Sequence, residues 1–210
     1  MTEQTPLRPG GRVLTAVLLA AGQGSRMHSE RPKPLHRLCG SPMLSYVLDS
    51  LSTVGVQSAV IVVGHKGEWV TKKMQEHLGD VPLDFVEQRI QRGTGDATMV
   101  GLVGLPDDDD GDVLVLPGDT PLLRAATVEA LVDRHRASGA AATLLTSEVE
   151  DPTGYGRVLR NAEGSVAAVV EHRDATDEQL AVREVNTSIY CFRRSLLSPA
   201  LRRVEPDNSQ

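Results

Sequence analysis

Three short runs of almost unbroken aliphatic residues constrain this chain most: VLTAVLL at 13–19, SAVIVV at 58–63 and DVLVLP at 112–117. A strand with one wet face alternates apolar and polar residues, whereas one that is apolar throughout has both faces covered. Such strands belong to parallel sheets sandwiched by helices, and helical signals lie between them. Ser41 is placed to cap a helix with Pro42 at its first position. Met43, Leu44, Val47, Leu48, Leu51 and Val54 then share one face, and Gly55 closes it. Further helices are expected at 67–78, 94–104 and 125–138. Strand–helix alternation of this kind gives right-handed βαβ units. The expected fold class is therefore α/β, a Rossmann-like, doubly wound mixed sheet. After residue 140 the stretches 141–149, 156–172 and 183–192 read as strands, with NAEG at 161–164 as a hairpin turn. They are an antiparallel addition to the same domain. The expected organisation is a disordered segment 1–12 followed by one domain, 13–210.

Composition excludes several classes. The chain has 210 residues, enough for one sizeable core. Aromatic residues make up only 3%, too few for stacking platforms on single-stranded nucleic acid. A net charge of −6 argues against non-specific nucleic-acid binding. Cys39 and Cys191 lie far apart with no C-x-x-C, which reads as two free thiols in a reducing, cytoplasmic compartment. Arg8 and Arg12 before the apolar run Val13–Ala21 imitate a short signal peptide. The run recurs in kind at 58–63 and 113–116, so a buried strand is the better reading. No apolar stretch is long enough to span a membrane.

In open α/β sheets, ligands bind beyond the carboxyl ends of the strands, which selects three places. In the loop Ala20–Leu35, Gly22 and Gly24 let the backbone approach an anion, Arg26 and Lys33 add charge, and Pro32 and Pro34 stiffen the lysine's backbone. A plain turn is the alternative, since both G-x-x-x-x-G-K-[ST] and G-x-G-x-x-G are absent. Asp119, just past DVLVLP, can hold a hard cation such as Mg²⁺ or merely cap a turn. In 87–97, Gln88 and Gln91 can read an amide-like base edge, and Gly93, Thr94 and Gly95 offer a close approach at a helix start. A simple glycine-rich helix entry is the alternative there. The four aspartates 107–110 read as a solvated loop, because adjacent carboxylates repel and nothing fixes their geometry. An anion loop, a metal-type aspartate and a polar pocket on one sheet edge suggest nucleotide chemistry.

The segments LAAGQGSRM, PKPLH, QRGTGDA and PGDTPLL, with DPTGYGRV, VEHRDAT and EVNTSIY further on, give the chain its likeness. It resembles the sugar-nucleotide pyrophosphorylases, and more narrowly the uridylyltransferase domain of the bacterial bifunctional N-acetylglucosamine-1-phosphate uridylyltransferase/glucosamine-1-phosphate acetyltransferases. The likeness covers about residues 13–192, and its last three segments are the most specific. It implies that Leu19, Ala20, Ala21, Gly22, Lys33, Gln88, Gly93 and Thr94 hold the nucleotide. It implies that Gly156, Glu171 and Asn186 hold the N-acetylhexosamine and that Asp119 holds Mg²⁺. From the residues alone, Glu171 and Asn186 would pass for polar strand ends.

The implied reaction joins UTP and N-acetyl-α-D-glucosamine 1-phosphate, giving pyrophosphate and UDP-N-acetylglucosamine, a peptidoglycan precursor, with Arg26 and Lys33 as the catalytic cations. The alternatives are a related transferase with another base or sugar, or a non-catalytic nucleotide-sugar-binding remnant. A glycosyltransferase is disfavoured because Asp119 lacks a D-x-D partner. The family pattern continues with a Gly-Glu-x-Tyr strand, an E-V-x-G-x-N stretch whose Asn is a second metal ligand, and a left-handed β-helix. None of these falls within the 210 residues. A nearly inactive monomer is therefore expected, against trimeric full-length relatives. No nucleic acid or membrane partner is expected.

Overall fold

A computed structural model describes residues 12–22, 24, 27–76, 79–106 and 110–204. The expected disordered segment 1–12 lies almost entirely outside them, as do Arg26 and three of the four loop aspartates. The chain divides into two compact units, Met1–Thr143 with Cys191–Gln210, and Leu144–Tyr190.

In the first unit the aliphatic runs are parallel strands: β1 (Leu14–Ala20), β4 (Ser58–Val63) and β6 (Asp112–Pro117). With β5 (Leu83–Glu87) they take the order β5-β4-β1-β6. Val17 and Leu18 point to opposite faces of the sheet and both are wholly buried, so both faces are covered. Between the strands lie α1 (Met43–Val54), α2 (Gly67–Gln75), α3 (Thr94–Val103) and α4 (Ala125–Ser138), and α6 (Arg194–Leu201) follows the last strand. α3 sits close on the sheet because it presents Gly101: a Cβ there would lie 2.5 Å from a Val17 methyl and 2.8 Å from one of Val62.

The first helix ends at Gly55 in the left-handed conformation (φ 83°), as expected. Its start differs. Ser41 does not cap it; Ser41 and Pro42 form β3 (Ser41–Pro42), which pairs antiparallel with β2 (Arg37–Leu38), and Pro42 takes the cap position. Backbone pairing thus occupies the residue that a side-chain cap would have used. α2 ends at Gln75, short of the expected 78. Both cysteines are free, Cys39 exposed and Cys191 buried. No helix among the described residues is long and apolar enough to cross a membrane.

The second unit is built on antiparallel pairs. β8 (Arg157–Arg160) pairs with β9 (Val166–Val170) across the expected NAEG turn, where Gly164 N donates to Asn161 O at 3.0 Å and Asn161 N to Ser165 O at 2.9 Å. β10 (Glu184–Arg193) runs antiparallel to β8, with Val185 opposite Arg157. β7 (Ala142–Glu148) pairs with β10 as well, and the one-turn α5 (Asp177–Leu180) carries a capping box from Thr176 and Gln179. The chain enters this unit within β7 and leaves it within β10.

Candidate functional site

Strand register decides which loops meet. Ala20 is level with Val63, Val63 with Glu87, and Leu19 with Pro117. The segments after β1, β4, β5 and β6 therefore leave the first unit's sheet at one edge, its carboxyl edge. Leu19, Ala20, Ala21, Gly22, Gly24, Lys33, Gln88, Gly93, Thr94 and Asp119 all belong to it.

Close backbone contact fixes the first loop. A Cβ on Gly64, after β4, would lie 2.6 Å from Ala21 O, so the two segments press together only because residue 64 has no side chain. Gln91 Nε2 donates to the same Ala21 oxygen at 2.5 Å. Gly24 adopts φ 60° and lies over the Lys33 stem; a Cβ there would come within 2.9 Å of Lys33 Cβ. Lys33 opens a short 3-10 turn, Lys33–Leu35, held by Leu35 N donating to Pro32 O at 2.9 Å. Its ammonium forms an ion pair with the Asp119 carboxylate. Asp119 is set by Gly118, whose N–H donates to Leu19 O at 3.0 Å, and by Thr120, whose hydroxyl donates to Pro117 O at 3.1 Å. The lysine side chain is 42% exposed and the aspartate 23%, so both ends of the pair remain open to solvent and to a ligand.

Gln88, expected to read a base edge, has its amide NH₂ engaged within the protein. It is buried, and its Nε2 donates to Asp96 Oδ2 at 2.7 Å and to Gly93 O at 3.4 Å. Its NH₂ group is thus committed to holding the Gly93 turn, where φ 97° requires glycine, against the first turn of α3. Asp96 escaped notice because nothing in the sequence ties a helix residue to a glutamine eight positions earlier.

In the second unit, Gly156, Glu171 and Asn186 come together. A Cβ on Gly156 would lie 3.4 Å from Glu171 Oε1, and Asn186 N donates to Gly156 O at 2.9 Å. The loop before Gly156 wraps a buried arginine: Arg157 donates to the carbonyls of Pro152 (2.6 Å) and Tyr155 (2.5 Å). Asp151 accepts from Thr153 N at 3.0 Å; hydrogen bonds from Thr153 lower its pKa below the ordinary carboxylate value. Asn186 is oriented at both ends of its amide, its Nδ2 donating to Tyr190 Oη at 2.6 Å and its Oδ1 accepting from Ser188 N at 3.1 Å. Ser188 has φ 60°, a left-handed kink inside a strand that brings its N–H back to Asn186. Burial pushes the Tyr190 phenol's pKa up; the hydrogen bond from Asn186 opposes this and the nearby Glu171 charge adds to it. Tyr190 was not singled out from the sequence, where it reads as one more strand aromatic.

Asp119 by itself suits Mg²⁺, which typically takes one or two carboxylates and fills its remaining positions with water and substrate phosphate oxygens. Among the described residues no three His, Cys, Asp or Glu side chains group into an all-protein cage.

The chain is 46% identical over 195 residues to the bifunctional protein GlmU of Bacillus thuringiensis (strain Al Hakam) and, equally, to that of Bacillus anthracis. The match takes in 93% of this chain and 41% of the relatives, so the chain spans less than half the length of the curated proteins it matches. This bears out the resemblance carried by the motifs. A UDP-glucose pyrophosphorylase solved in complex with UDP-glucose superposes with a TM-score of 0.73 at 16% identity, covering 94% of this chain and 82% of that one. HddC from Yersinia pseudotuberculosis gives 0.66 at 19%, covering 88% and 79%. These two likenesses speak for the fold, the mostly parallel α/β sheet expected of nucleotide-diphospho-sugar transferases. The model of the MobA-like NTP transferase domain matches residues 16–209, and the chain belongs to that family.

Proposed function

We propose that the chain is a sugar nucleotidyltransferase that joins UTP to N-acetyl-α-D-glucosamine 1-phosphate, releasing pyrophosphate. The observation that carries this reading is the Lys33–Asp119 ion pair at the carboxyl edge, with Gly24 packed on the lysine's stem. A cation and a carboxylate, each reachable by ligand, meet where four strand-end loops converge. The 46% identity to GlmU supports the choice of reaction.

In the proposed step a sugar-phosphate oxygen attacks the α-phosphorus of UTP, and the bond from that phosphorus to the bridging oxygen breaks as pyrophosphate leaves. The nucleophile is already ionised, so no strong general base is required; catalysis is positioning plus charge stabilisation. The loop backbone at Ala21, Gly22 and Gly24 offers N–H donors to phosphate oxygens. Lys33 turns from Asp119 to the triphosphate and, with Arg26, neutralises charge on the departing pyrophosphate. Asp119, released from the lysine, is the residue that would hold Mg²⁺, which when bound supplies Lewis-acid polarisation of the α-phosphate. Gln88, through Gly93 and Thr94, shapes the base pocket. Gly156, Glu171 and Asn186 are assigned to the hydroxyls and acetamide of the sugar. A reducing cytoplasm suits the two free thiols.

The test is pyrophosphate release with UTP paired against the other nucleoside triphosphates, and N-acetylglucosamine 1-phosphate against glucose 1-phosphate. The reading expects the UTP and N-acetylglucosamine 1-phosphate combination to exceed every other. A different best pair would reassign the substrates, and no release from any pair would reject transfer by this chain.

A further inference from the structure

A second concave site lies behind the lysine turn. Arg31, Arg37, Lys72, Lys73, Trp69 and Leu35 line a cleft of about 410 Å³ in the first unit, within the size range of small-molecule sites. Leu35 belongs to the same 3-10 turn as Lys33 but is buried against the cleft, while Lys33 reaches Asp119. None of the residues assigned to the nucleotide lines this cleft. Four cations face a single carboxylate, Glu76, which is held by Lys73 at 2.6 Å. Among the described residues, the Arg31, Arg37 and Lys72 side chains form no ion pair. In a chain of net charge −6, four cations against one carboxylate leave a net excess of three positive charges around one hollow. Trp69, 52% exposed, stands on its wall with Lys66 Nζ 5.2 Å from the ring centroid. Lys66 is anchored in turn, donating to Glu30 O at 3.0 Å and pairing with the Glu30 carboxylate.

From this geometry we infer that the cleft binds a small organic diphosphate, with the phosphates on Arg31, Arg37 and Lys72 and the attached ring against Trp69. The charge fits: the net excess of three positive charges matches the roughly three negative charges of a diphosphate at neutral pH. Guanidinium groups fork onto phosphate oxygens, and an exposed indole supplies a stacking surface for a flat ring. The hollow is of small-ligand size, and the acidic remainder of the chain disfavours a long polyanion.

Trp69 is the chain's single tryptophan, so intrinsic fluorescence reports on this cleft. The experiment titrates the full chain, without Mg²⁺, with ADP and with inorganic pyrophosphate. It does so for the parent, for Arg37→Ala/Lys72→Ala and for Lys33→Ala. The inference expects a saturable change in emission with ADP, and about tenfold weaker binding of pyrophosphate, which lacks the ring. It expects at least about tenfold weakening in Arg37→Ala/Lys72→Ala, and a curve within twofold of the parent in Lys33→Ala. Arg37 and Lys72 are exposed, and an unchanged melting temperature checks that the double variant folds. Absence of a saturable signal overturns the inference. So does a signal lost in Lys33→Ala yet kept in Arg37→Ala/Lys72→Ala, which would place the ligand at the nucleotide edge. Equal affinity for both probes would overturn the assignment of the ring to Trp69. Loss of pyrophosphate-releasing activity has no bearing on any of these outcomes, so the cleft and the proposed reaction fail separately.

Discussion

Strand β6 carries an aspartate at each end, and the two could hardly be more different. Asp112, at its start, is wholly buried: Arg136 Nε donates to its Oδ2 at 2.8 Å, while Arg12 and His135 face its Oδ1 at 3.6 Å each. Asp119, just past its end, is partly open and meets one lysine that is more open still. At the amino edge of the sheet the carboxylate is wholly buried beside two arginines and a histidine. At the carboxyl edge the partner is a flexible lysine on a loop, which a phosphate can draw away. In the proposed reading, burial and the number of partners, not residue type, separate an aspartate that holds the fold from one that serves chemistry.

The comparison breaks most visibly at Asp112. Asp112→Asn leaves Arg136 and Arg12 without their counter-charge and should cost about 3 kcal/mol, the low end for breaking a buried pair, because both arginines remain partly exposed. For a chain of this size that lowers the melting temperature by roughly 6–12 °C in a calorimetric scan, with activity per folded molecule unchanged. At the other end, Lys33→Ala should leave melting within about 4 °C, since partly exposed pairs contribute about 0–1 kcal/mol. Its turnover should fall on the order of 10²–10³-fold, as when one preorganised charge donor is removed, read by pyrophosphate release.

His135 sharpens the amino-edge half through pH. Burial lowers its pKa below the usual 6.5, and Asp112 only partly offsets this. The folded state keeps the ring neutral while the unfolded chain takes up a proton, so stability is full above about pH 6.5 and declines as pH falls below it. Denaturant melts at pH 7.5 and 5.5 should show a smaller difference for His135→Gln than for the parent. In the second unit, Tyr190→Phe removes the acceptor that orients the Asn186 amide. The expected stability loss is about 1 kcal/mol, while KM for the sugar phosphate rises several-fold and KM for UTP stays put. Equal changes in both would assign Tyr190 to folding alone.

Much of the first unit was legible because its strands are buried on both faces and announce themselves as aliphatic runs. β5 was not: in LDFVE, Asp84 and Glu87 interrupt the apolar pattern and a partly exposed face dilutes the rest. α6 escaped because Pro199 lies inside it. At the site, glycine and charge marked the loops, but direction was hidden. That Gln88 turns inward depends on Asp96 across a turn, and that Asn186 is held depends on Tyr190 four residues on and a kink at Ser188. Side-chain hydrogen bonds of this kind follow from the fold and carry no sequence period of their own.

In the proposed reading the exposed end of β6 serves chemistry and the buried end serves stability. Asp119→Asn tests it most directly, with turnover followed over a Mg²⁺ titration and the melting temperature measured on the same sample. Melting is expected within about 4 °C of the parent, and turnover lowered by on the order of 10²-fold at saturating substrate, the scale expected when several kcal/mol of charge stabilisation weakens. Parental turnover at every Mg²⁺ concentration, or a melting temperature that falls as far as that of Asp112→Asn, would contradict it.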